Sequence, residues 1–373
     1  MKKIIRIFLS MLIALIVSTT AFFSDSAQAA ADDHDFQIDF IDVGQGDSIL
    51  VRCDGHSMLV DGGNSKASST VYSYLKKNSI SYLDYMVATH PDSDHIGGLS
   101  GALNYAKVGK AFCPMTSYDT KTFASLVKYL GRQNKKLTVP SKGDSFRLGS
   151  AEVTVIGPIY ISKDDTNNSS IVLKIEYGKT SFMLMGDAET DEENEIMSSG
   201  VDTRCTVLKV GHHGSSSSTS YHFLREAEPK YAVISVGTGN SYGHPTEQTL
   251  SRLRDADVKT YRTDMQGDII CKSDGKNVEF TTERNKDADT LKDAGDGQKS
   301  SETENTVTSE TSSGSNDDAD TKSSYVLNTS SHKFHRPDCD SVSKMSDSNK
   351  KVVSESREKI ISEGYKPCKR CNP

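Results

Sequence analysis

The chain predicts an α/β fold in which two β-meanders each lead into strand and helix units. Three observations carry this. Apolar and polar residues alternate through Phe36–Gly44, Ile49–Cys53 and His56–Gly63, separated by the turns Gly44-Gln-Gly-Asp-Ser48 and Asp54-Gly55. A helical stretch from Ser69 to Lys77 then precedes a buried-type strand, Met86-Val-Ala-Thr89. The cycle recurs in Ala151–Ile156, Ser170–Glu176 and Ser181–Met185, followed by a helix from about Asp191 to Ser198. Early strands joined by tight turns exclude an all-parallel, doubly wound sheet.

The remaining elements continue this order. Thr206–Val210 reads as a strand ending in Gly211-His-His-Gly-Ser215, and Tyr231–Val236 as another, followed by a polar loop to His244-Pro245. Thr246 to Ala256 is the last helix expected in the large domain. At 373 residues and 35% hydrophobic content, the chain can bury one large core and a small extra module. Four segments follow: 1–29, 33–284, 285–323 and 324–373.

Residues 1–29 read as a signal peptide. Lys2, Lys3 and Arg6 form its charged start, Phe8–Val17 is apolar, and Ala27-Gln-Ala29 supplies small residues for cleavage. A retained anchor helix is the alternative, although the apolar run is short for a span. No later stretch is apolar enough to cross a bilayer, so the mature chain is expected to be secreted, extracellular or cell-wall associated. Cys53, Cys113, Cys205 and Cys271 stand singly in strand-like or apolar settings, which favours buried packing over a disulfide framework. Residues 285–323 carry ten Asp/Glu against four Lys, with Leu291 and Val307 as the large aliphatics, and are expected to form a disordered acidic linker.

The densest chemistry lies in Thr89-His90-Pro-Asp92-Ser-Asp94-His95-Ile-Gly97-Gly98. Four metal-capable side chains within six residues would crowd two imidazoles and two carboxylates together, which a divalent cation resolves. A polar loop with two helix-capping aspartates is the plainer reading. At near-extended spacing His90 and Asp92 point the same way, and a tight turn brings Asp94 and His95 to a second position.

This stretch resembles the His-x-His-x-Asp-His signature of the metallo-β-lactamase superfamily, with Asp92 in the second place. In particular it resembles the soluble hydrolase domain of ComEC-type competence (DNA-uptake) proteins. Six further stretches match in order: Asp42-Val-Gly-Gln-Gly-Asp47-Ser, Val60-Asp61-Gly-Gly, Asn167-Asn168-Ser-Ser170, Met185-Gly186-Asp187, Lys209-Val-Gly-His212-His213-Gly-Ser and Tyr242-Gly-His244-Pro. The resemblance implies a four-layer αββα sandwich and two divalent metals. By it, His90 and Asp92 hold the first metal, Asp94 and His95 the second, Asp187 bridges, and His212 completes the second site. His213 is either an alternative ligand or an outer donor, and Asp61 orients a ligand histidine. No His occurs between residues 96 and 187, so the usual third histidine of the first site is missing, with Asn168 and Ser170 in that region. An oxygen-rich donor set shifts preference from zinc toward manganese or magnesium. A single-metal site, with the first ion lost, is also compatible.

The tail carries a second constellation. His335-x3-Cys339 and Cys368-x2-Cys371 have the spacing of a closed tetrahedral zinc site, which would staple a module of few large apolar residues. A disulfide involving these cysteines is the rival. Residues 324–373 carry ten Lys/Arg against six Asp/Glu, compatible with an anionic partner. This stretch resembles the metal-binding domain of the Ada DNA-repair methyltransferase. There the first ligand is a methyl-accepting Cys; His335 stands in its place, which argues against methyl transfer.

A bridged metal pair lowers the pKa of bound water and stabilises attacking and leaving oxygens together. The expected function is therefore metal-activated hydroxide attack on a phosphodiester, by a secreted nuclease acting on DNA. Asp94 and His244 are expected to act in catalysis, His244 by donating a proton or binding a non-bridging oxygen. Ser215–Ser218 and nearby amides are expected to line a phosphate pocket. A lactonase or other ester or amide hydrolase on the same scaffold, or a non-catalytic DNA-binding protein, are the alternatives. Nothing in the sequence marks a protein partner.

Overall fold

The computed structural model describes residues 36–292 and most of 323–368. The signal segment 1–29, residues 293–322 of the expected linker, and Cys371 lie outside the described residues. The described chain falls into two compact units, divided between Lys299 and Ser300.

In the first unit, β1 (Phe36–Phe40), β2 (Ile49–Cys53) and β3 (His56–Val60) form the expected antiparallel meander. Helix α1 (Ser68–Lys77) then carries the chain to β4 (Tyr82–Val87), which pairs in parallel with β3. Helices α2 (Ser93–Ile96) and α3 (Leu99–Tyr105) lead to the parallel β5 (Lys107–Phe112), and α4 (Lys121–Gly131) to the short β6 (Leu137–Thr138). The second half repeats this order. Strands β7 (Ser145–Leu148), β8 (Ala151–Gly157), β9 (Val172–Tyr177) and β10 (Thr180–Leu184) run antiparallel. Helices α5 (Thr190–Ser198), α6 (Tyr221–Ala227) and α7 (Glu247–Asp255) then alternate with the parallel strands β11 (Val207–Lys209), β12 (Tyr231–Ile234) and β13 (Lys259–Arg262).

Two strands beyond the last expected helix, β14 (Ile269–Ser273) and β15 (Val278–Thr282), return to the first sheet, where β14 pairs with β1. The sheets are ordered β15-β14-β1-β2-β3-β4-β5-β6 and β13-β12-β11-β10-β9-β8-β7. Their inner faces pack together: Phe36, Ile38 and Phe40 from one sheet share a core with Val153, Ile175 and Phe182 from the other. Phe36 stacks on Phe182 across the gap at 4.7 Å. The outer faces are roofed by helices, through Leu75, Leu99 and Phe123 on the first sheet and Ile196, Phe223 and Leu250 on the second. This is a four-layer αββα sandwich.

The two parallel halves end their strands at one edge, and close backbone approach fixes the loops there. A Cβ on Gly98, at the start of α3, would collide with the Gly62 carbonyl. Gly46 has φ +130°, and a Cβ on it would collide with the Asp94 carbonyl. Only glycine meets both demands at Gly46.

Residues 285–292, assigned by composition to the linker, instead pack on this unit. Thr290 is buried, its hydroxyl donates to Thr260 O at 2.6 Å, and Arg262 Nη1 donates to Thr290 O at 3.3 Å. The buried hydroxyl and guanidinium hold a segment whose apolar content is low. Cys53, Cys113, Cys205 and Cys271 are buried thiols.

The second unit has a sheet of order β18-β16-β17-β19, made of β16 (Ser323–Asn328), β17 (Lys333–His335), β18 (Lys350–Glu355) and β19 (Lys366–Pro367). Helix α8 (Arg357–Ser362) follows β18, whose Ser354 and Glu355 pair with β16. The apolar centre is small: Leu327, Phe334 and Ile360. Among the described residues no helix is long and apolar enough to cross a membrane.

One buried carboxyl gives the large unit a pH signature. Glu192 in α5 is buried and accepts a hydrogen bond from Ile159 N at 2.8 Å. Burial, with Glu195 and Asp165 adding, pushes its pKa from 4.5 up to about 7. A raised folded-state value means the stability contribution is complete below pH 4.5 and is lost as pH rises through 7. Glu192→Gln should therefore stabilise the protein against wild type at pH 8 by about 1–2 kcal/mol, after discounting for solvent screening, and give little gain at pH 4.5. Paired denaturation curves at the two pH values test this; an equal gain at both would refute it.

Candidate metal centre

The polar residues singled out in the sequence converge at the C-terminal ends of the parallel strands, the usual ligand edge of such sheets. Asp61 follows β3, His90 and Asp92 follow β4, Asp187 follows β10, and His212 and His213 follow β11. Asp94 and His95, expected at a tight turn, lie in the short α2. His212 and His213 occupy consecutive left-handed positions, with φ of 46° and 52°. That backbone is disfavoured for residues with a Cβ, and it turns the two imidazoles toward different neighbours.

Asp187 stands between two clusters. Its Oδ1 lies 3.2 Å from His95 Nε2 and 3.5 Å from His213 Nε2. His213 Nε2 is in turn 3.2 Å from His95 Nε2 and 3.6 Å from Asp94 Oδ2. The other oxygen, Oδ2, lies 3.9 Å from His90 Nε2 and 3.7 Å from His212 Nε2, with Asp92 Oδ2 at 4.0 Å from His90. The sequence expectation placed His212 with Asp94 and His95. The structure brings His213 there instead, and sets His212 against the other oxygen of Asp187.

Several of these gaps are too long for hydrogen bonds. They match the roughly 3–4 Å between two atoms that share one ion at about 2.1 Å. His90 Nε2 is fully buried with no hydrogen-bond partner. Those observations fit a pair of divalent cations, one to each oxygen of Asp187. Asp94, His95 and His213 could hold one, and His90, Asp92 and His212 the other. The first set reaches solvent through Asp94, whose side chain is 27% exposed. The second opens further, through Asp92, at 40%, and His212, at 22%.

Each imidazole is steered by its other nitrogen. Asp61 Oδ2 takes His95 Nδ1 at 2.8 Å, and the same carboxylate accepts from Thr89 N and Thr89 Oγ1. His213 Nδ1 donates to Ser235 O at 2.9 Å, with Asp47 Oδ1 at 3.2 Å. His212 Nδ1 meets Glu189 Oε1 at 3.1 Å, and His90 Nδ1 lies 3.3 Å from Ser170 Oγ. Such partners fix ring orientation and raise ligand basicity. Asn168 acts one step further out, accepting from Glu189 N at 3.0 Å.

The electrostatics are those of a cation site holding itself together with protons. Burial opposes ionisation of Asp187, but His213, His95 and His90 outweigh it and hold its pKa well below the usual carboxylate range. Burial likewise opposes charge on His95, yet Asp187 and Asp61 keep its pKa well above the usual value. His213 is raised to about 9 against burial by Asp187, Asp47 and Asp94. His90 falls to about 4 through burial and the charge of His95. Asp94 is held to about 2 despite burial, by His213 and His95, while burial raises Asp92.

His244 lies beside His212, its ring 5.4 Å from that of His212. Burial and the neighbouring His212 and His213 lower its pKa to about 4, so at neutral pH it is an uncharged imidazole and a poor proton donor. The serines after His213 do not present a free phosphate pocket either. Ser218 Oγ donates to Gly211 O, Ser217 Oγ donates to Glu189 Oε1, and Ser215 Oγ pairs with Ser217 Oγ. These hydroxyls brace the loop that carries the histidines.

Sequence reasoning assigned no role to Asp47, Glu189 or Lys209. A signal was present for two of them: Lys209 is a lone charge at the end of an apolar strand, and Asp47 follows the tight Gly44-Gln-Gly46 turn. In the second unit, His335, Cys339 and Cys368 are buried with their ligand atoms within 4.8 Å of one another. Cys339 Sγ lies 3.6 Å from His335 Nδ1.

A family model described as the metallo-beta-lactamase superfamily matches residues 41–238. The chain belongs to that superfamily. It is 31% identical over 251 residues to ComE operon protein 3 of Bacillus subtilis, covering 62% of this chain and 32% of that protein. It is 31% identical over 228 residues to competence protein ComA of Neisseria gonorrhoeae, covering 61% and 30%. Recombination protein 2 of Haemophilus influenzae is 30% identical over 239 residues, covering 63% and 28%. The chain thus matches about a third of the length of these relatives.

The proton inventory predicts how metals enter. His213, with its pKa raised to about 9, holds at pH 7 a proton that a cation must displace, and the upward shift of His95 acts in the same direction, so loading should release protons and tighten as pH rises toward 9. Calorimetric titration with Mn²⁺ in buffers of differing ionisation enthalpy measures this. Binding without net proton release would contradict the assignment of these two ligands.

Proposed function

We propose that the chain is a secreted metal-dependent nuclease or phosphodiesterase acting on extracellular DNA. The observation that carries it is Asp187, whose two oxygens face separate His/Asp clusters. The similarity to proteins named for competence and recombination supports DNA as the substrate. When bound, two divalent ions supply Lewis acidity, acidifying water and neutralising phosphate charge. The chain's part is positional. Asp61 and Ser235 O hold the imidazoles of His95 and His213, and Glu189 holds His212 at the open rim. A phosphodiester would approach over Asp92 and His212, the exposed side of the pair. His244, uncharged at neutral pH, serves there as a hydrogen-bonding group to a phosphate oxygen. Each side offers two imidazoles and, with Asp187 shared, two carboxylates, a mixed donor set that accommodates manganese as well as zinc.

The test is degradation of linear single- and double-stranded DNA by the mature protein with Mn²⁺, Mg²⁺ or Zn²⁺. Asp94→Ala and Asp187→Ala should each lose more than the roughly 10–100-fold typical of outer-partner changes. Hydrolysis of a lactone or aryl ester without DNA cleavage would replace this reading with the esterase one.

We further propose that the second unit carries one structural zinc on His335, Cys339 and Cys368, with Cys371 as the fourth ligand by its spacing. The three buried ligands and the small apolar centre support this. Burial and Lys333 lower the pKa of His335, which keeps the imidazole neutral and able to ligate. The basic character of residues 324–373 supports contact with DNA. Metal analysis of the full chain should find one zinc that Cys339→Ser removes, leaving metal-dependent hydrolysis intact. A Cys368–Cys371 disulfide found without zinc would overturn it.

A further inference from the structure

We propose that Asp47 and Lys209 form a buried clamp that positions His213 and so sets the affinity of the Asp94, His95 and His213 cluster for its divalent ion. The inference rests on the reading that a metal binds there. Lys209 Nζ lies 2.8 Å from Asp47 Oδ2, and both side chains are almost wholly buried. The other carboxylate oxygen, Oδ1, is 3.2 Å from His213 Nδ1. Lys209 Nζ also donates to Val210 O at 2.8 Å, which fixes the ammonium at the strand end.

The pair spans the two sheets. Lys209 ends β11 of the second sheet, on the same side as Val207, which faces the gap between the sheets. Asp47 comes from the loop between β1 and β2 of the first. That loop is pinned from both sides: Gly63 N donates to Asp47 O at 2.7 Å, and Gly46 packs on the Asp94 carbonyl. Asp47 therefore has little freedom, and the imidazole it meets inherits that restriction.

Stability does not explain the arrangement. A buried ion pair is commonly no better than an apolar pair of the same size, since desolvation offsets the attraction. The comparison with His95 points elsewhere. Asp61, behind His95, is satisfied by the neutral donors Thr89 N and Thr89 Oγ1. Asp47, behind His213, is instead satisfied by a full cation. Ser235 O already accepts the His213 Nδ1 proton, so the carboxylate adds charge and a second constraint rather than the first hydrogen bond. Both histidines of this cluster thereby have a carboxylate behind them, and the Lys209 ammonium allows the second carboxylate to stay ionised without water. Asp47 and Lys209 are positioning residues; neither needs to touch the substrate.

The test is Mn²⁺ binding by the full-length chain, followed by calorimetry and by electron paramagnetic resonance. The variant is Asp47→Asn with Lys209→Met, which removes both charges together and leaves no isolated ion in the interior. Asp47→Asn with Lys209→Gln, which also removes both charges but keeps polar groups in the interior, is the second case, should the first double change fail to fold. The expected result is a metal-free melting temperature close to wild type, one ion bound about 10–100-fold more weakly, and the other unchanged. Asp92→Ala should weaken the opposite ion and marks which one is which. Unchanged affinity for both ions in the folded variants, or equal weakening of the two, would overturn the clamp. A wild-type chain that binds no Mn²⁺ would overturn both the clamp and the metal-dependent function. Selective loss of one ion in a protein that never cleaves DNA would sink the nuclease reading and leave the clamp standing.

Discussion

The structure depends on keeping one carboxylate, Asp187, ionised inside a protein. An isolated buried carboxylate carries a desolvation cost too large for a marginally stable fold, and it would take up a proton. Here four imidazoles surround it, and its pKa is driven down against burial. Everything near the strand ends follows from supplying and restraining that positive charge. His95 and His213 do it with protons when no ion is bound, and the distances among their nitrogens suit a cation as well as a proton. Asp61, Asp47 and Lys209 then balance the imidazoles in turn. The centre is a nested set of charges in which each layer compensates the one inside it, and the two sheets are held in register by the layer that spans them.

That nesting explains what the sequence revealed and what it hid. The His90 to His95 cluster was legible because four ligand types fall within six residues, and the meanders because their alternation is clean. The doubled architecture followed from seeing the pattern twice. The choice between His212 and His213 was not legible. It turns on two consecutive left-handed residues, a backbone feature that adjacent identical side chains cannot signal. Asp47 and Lys209 are 162 positions apart by their numbering and meet only because the sheets stack. The β14–β15 hairpin has a local signal in Asp274-Gly275 and the alternating Val278-Glu-Phe-Thr-Thr282; what the sequence hides is that β14 returns to pair with β1 at the other end of the domain. Residues 285–292 were misassigned because composition weighs apolar content, whereas Thr290 and Arg262 hold that segment by hydrogen bonds.

The two clusters on Asp187 are unlike, and the difference has a chemical sense. One has two fully buried imidazoles, each backed by a carboxylate, and meets solvent through Asp94, at 27% exposure. The other includes a 40% exposed carboxylate, Asp92, and a rim histidine oriented by Glu189. Outer partners that fix two buried rings hold an ion more firmly than a rim whose carboxylate is largely solvated, so the Asp92 side is the one better suited to exchange ligands.

The second unit poses the opposite problem with softer donors. Among its described residues the apolar centre has three fully buried members, Leu327, Phe334 and Ile360, a small core for a module of this size. Thiolate and imidazole together are donors that zinc favours, while carboxylates accommodate harder ions. A zinc bound by the thiols would be set apart by ligand softness from a harder ion at Asp187, although zinc would also bind the imidazoles there. Chelation would then act on the two units by different routes. Stripping an ion from the Asp187 centre would leave the sandwich folded around its histidines, whereas stripping a structural zinc would remove folding free energy from its module.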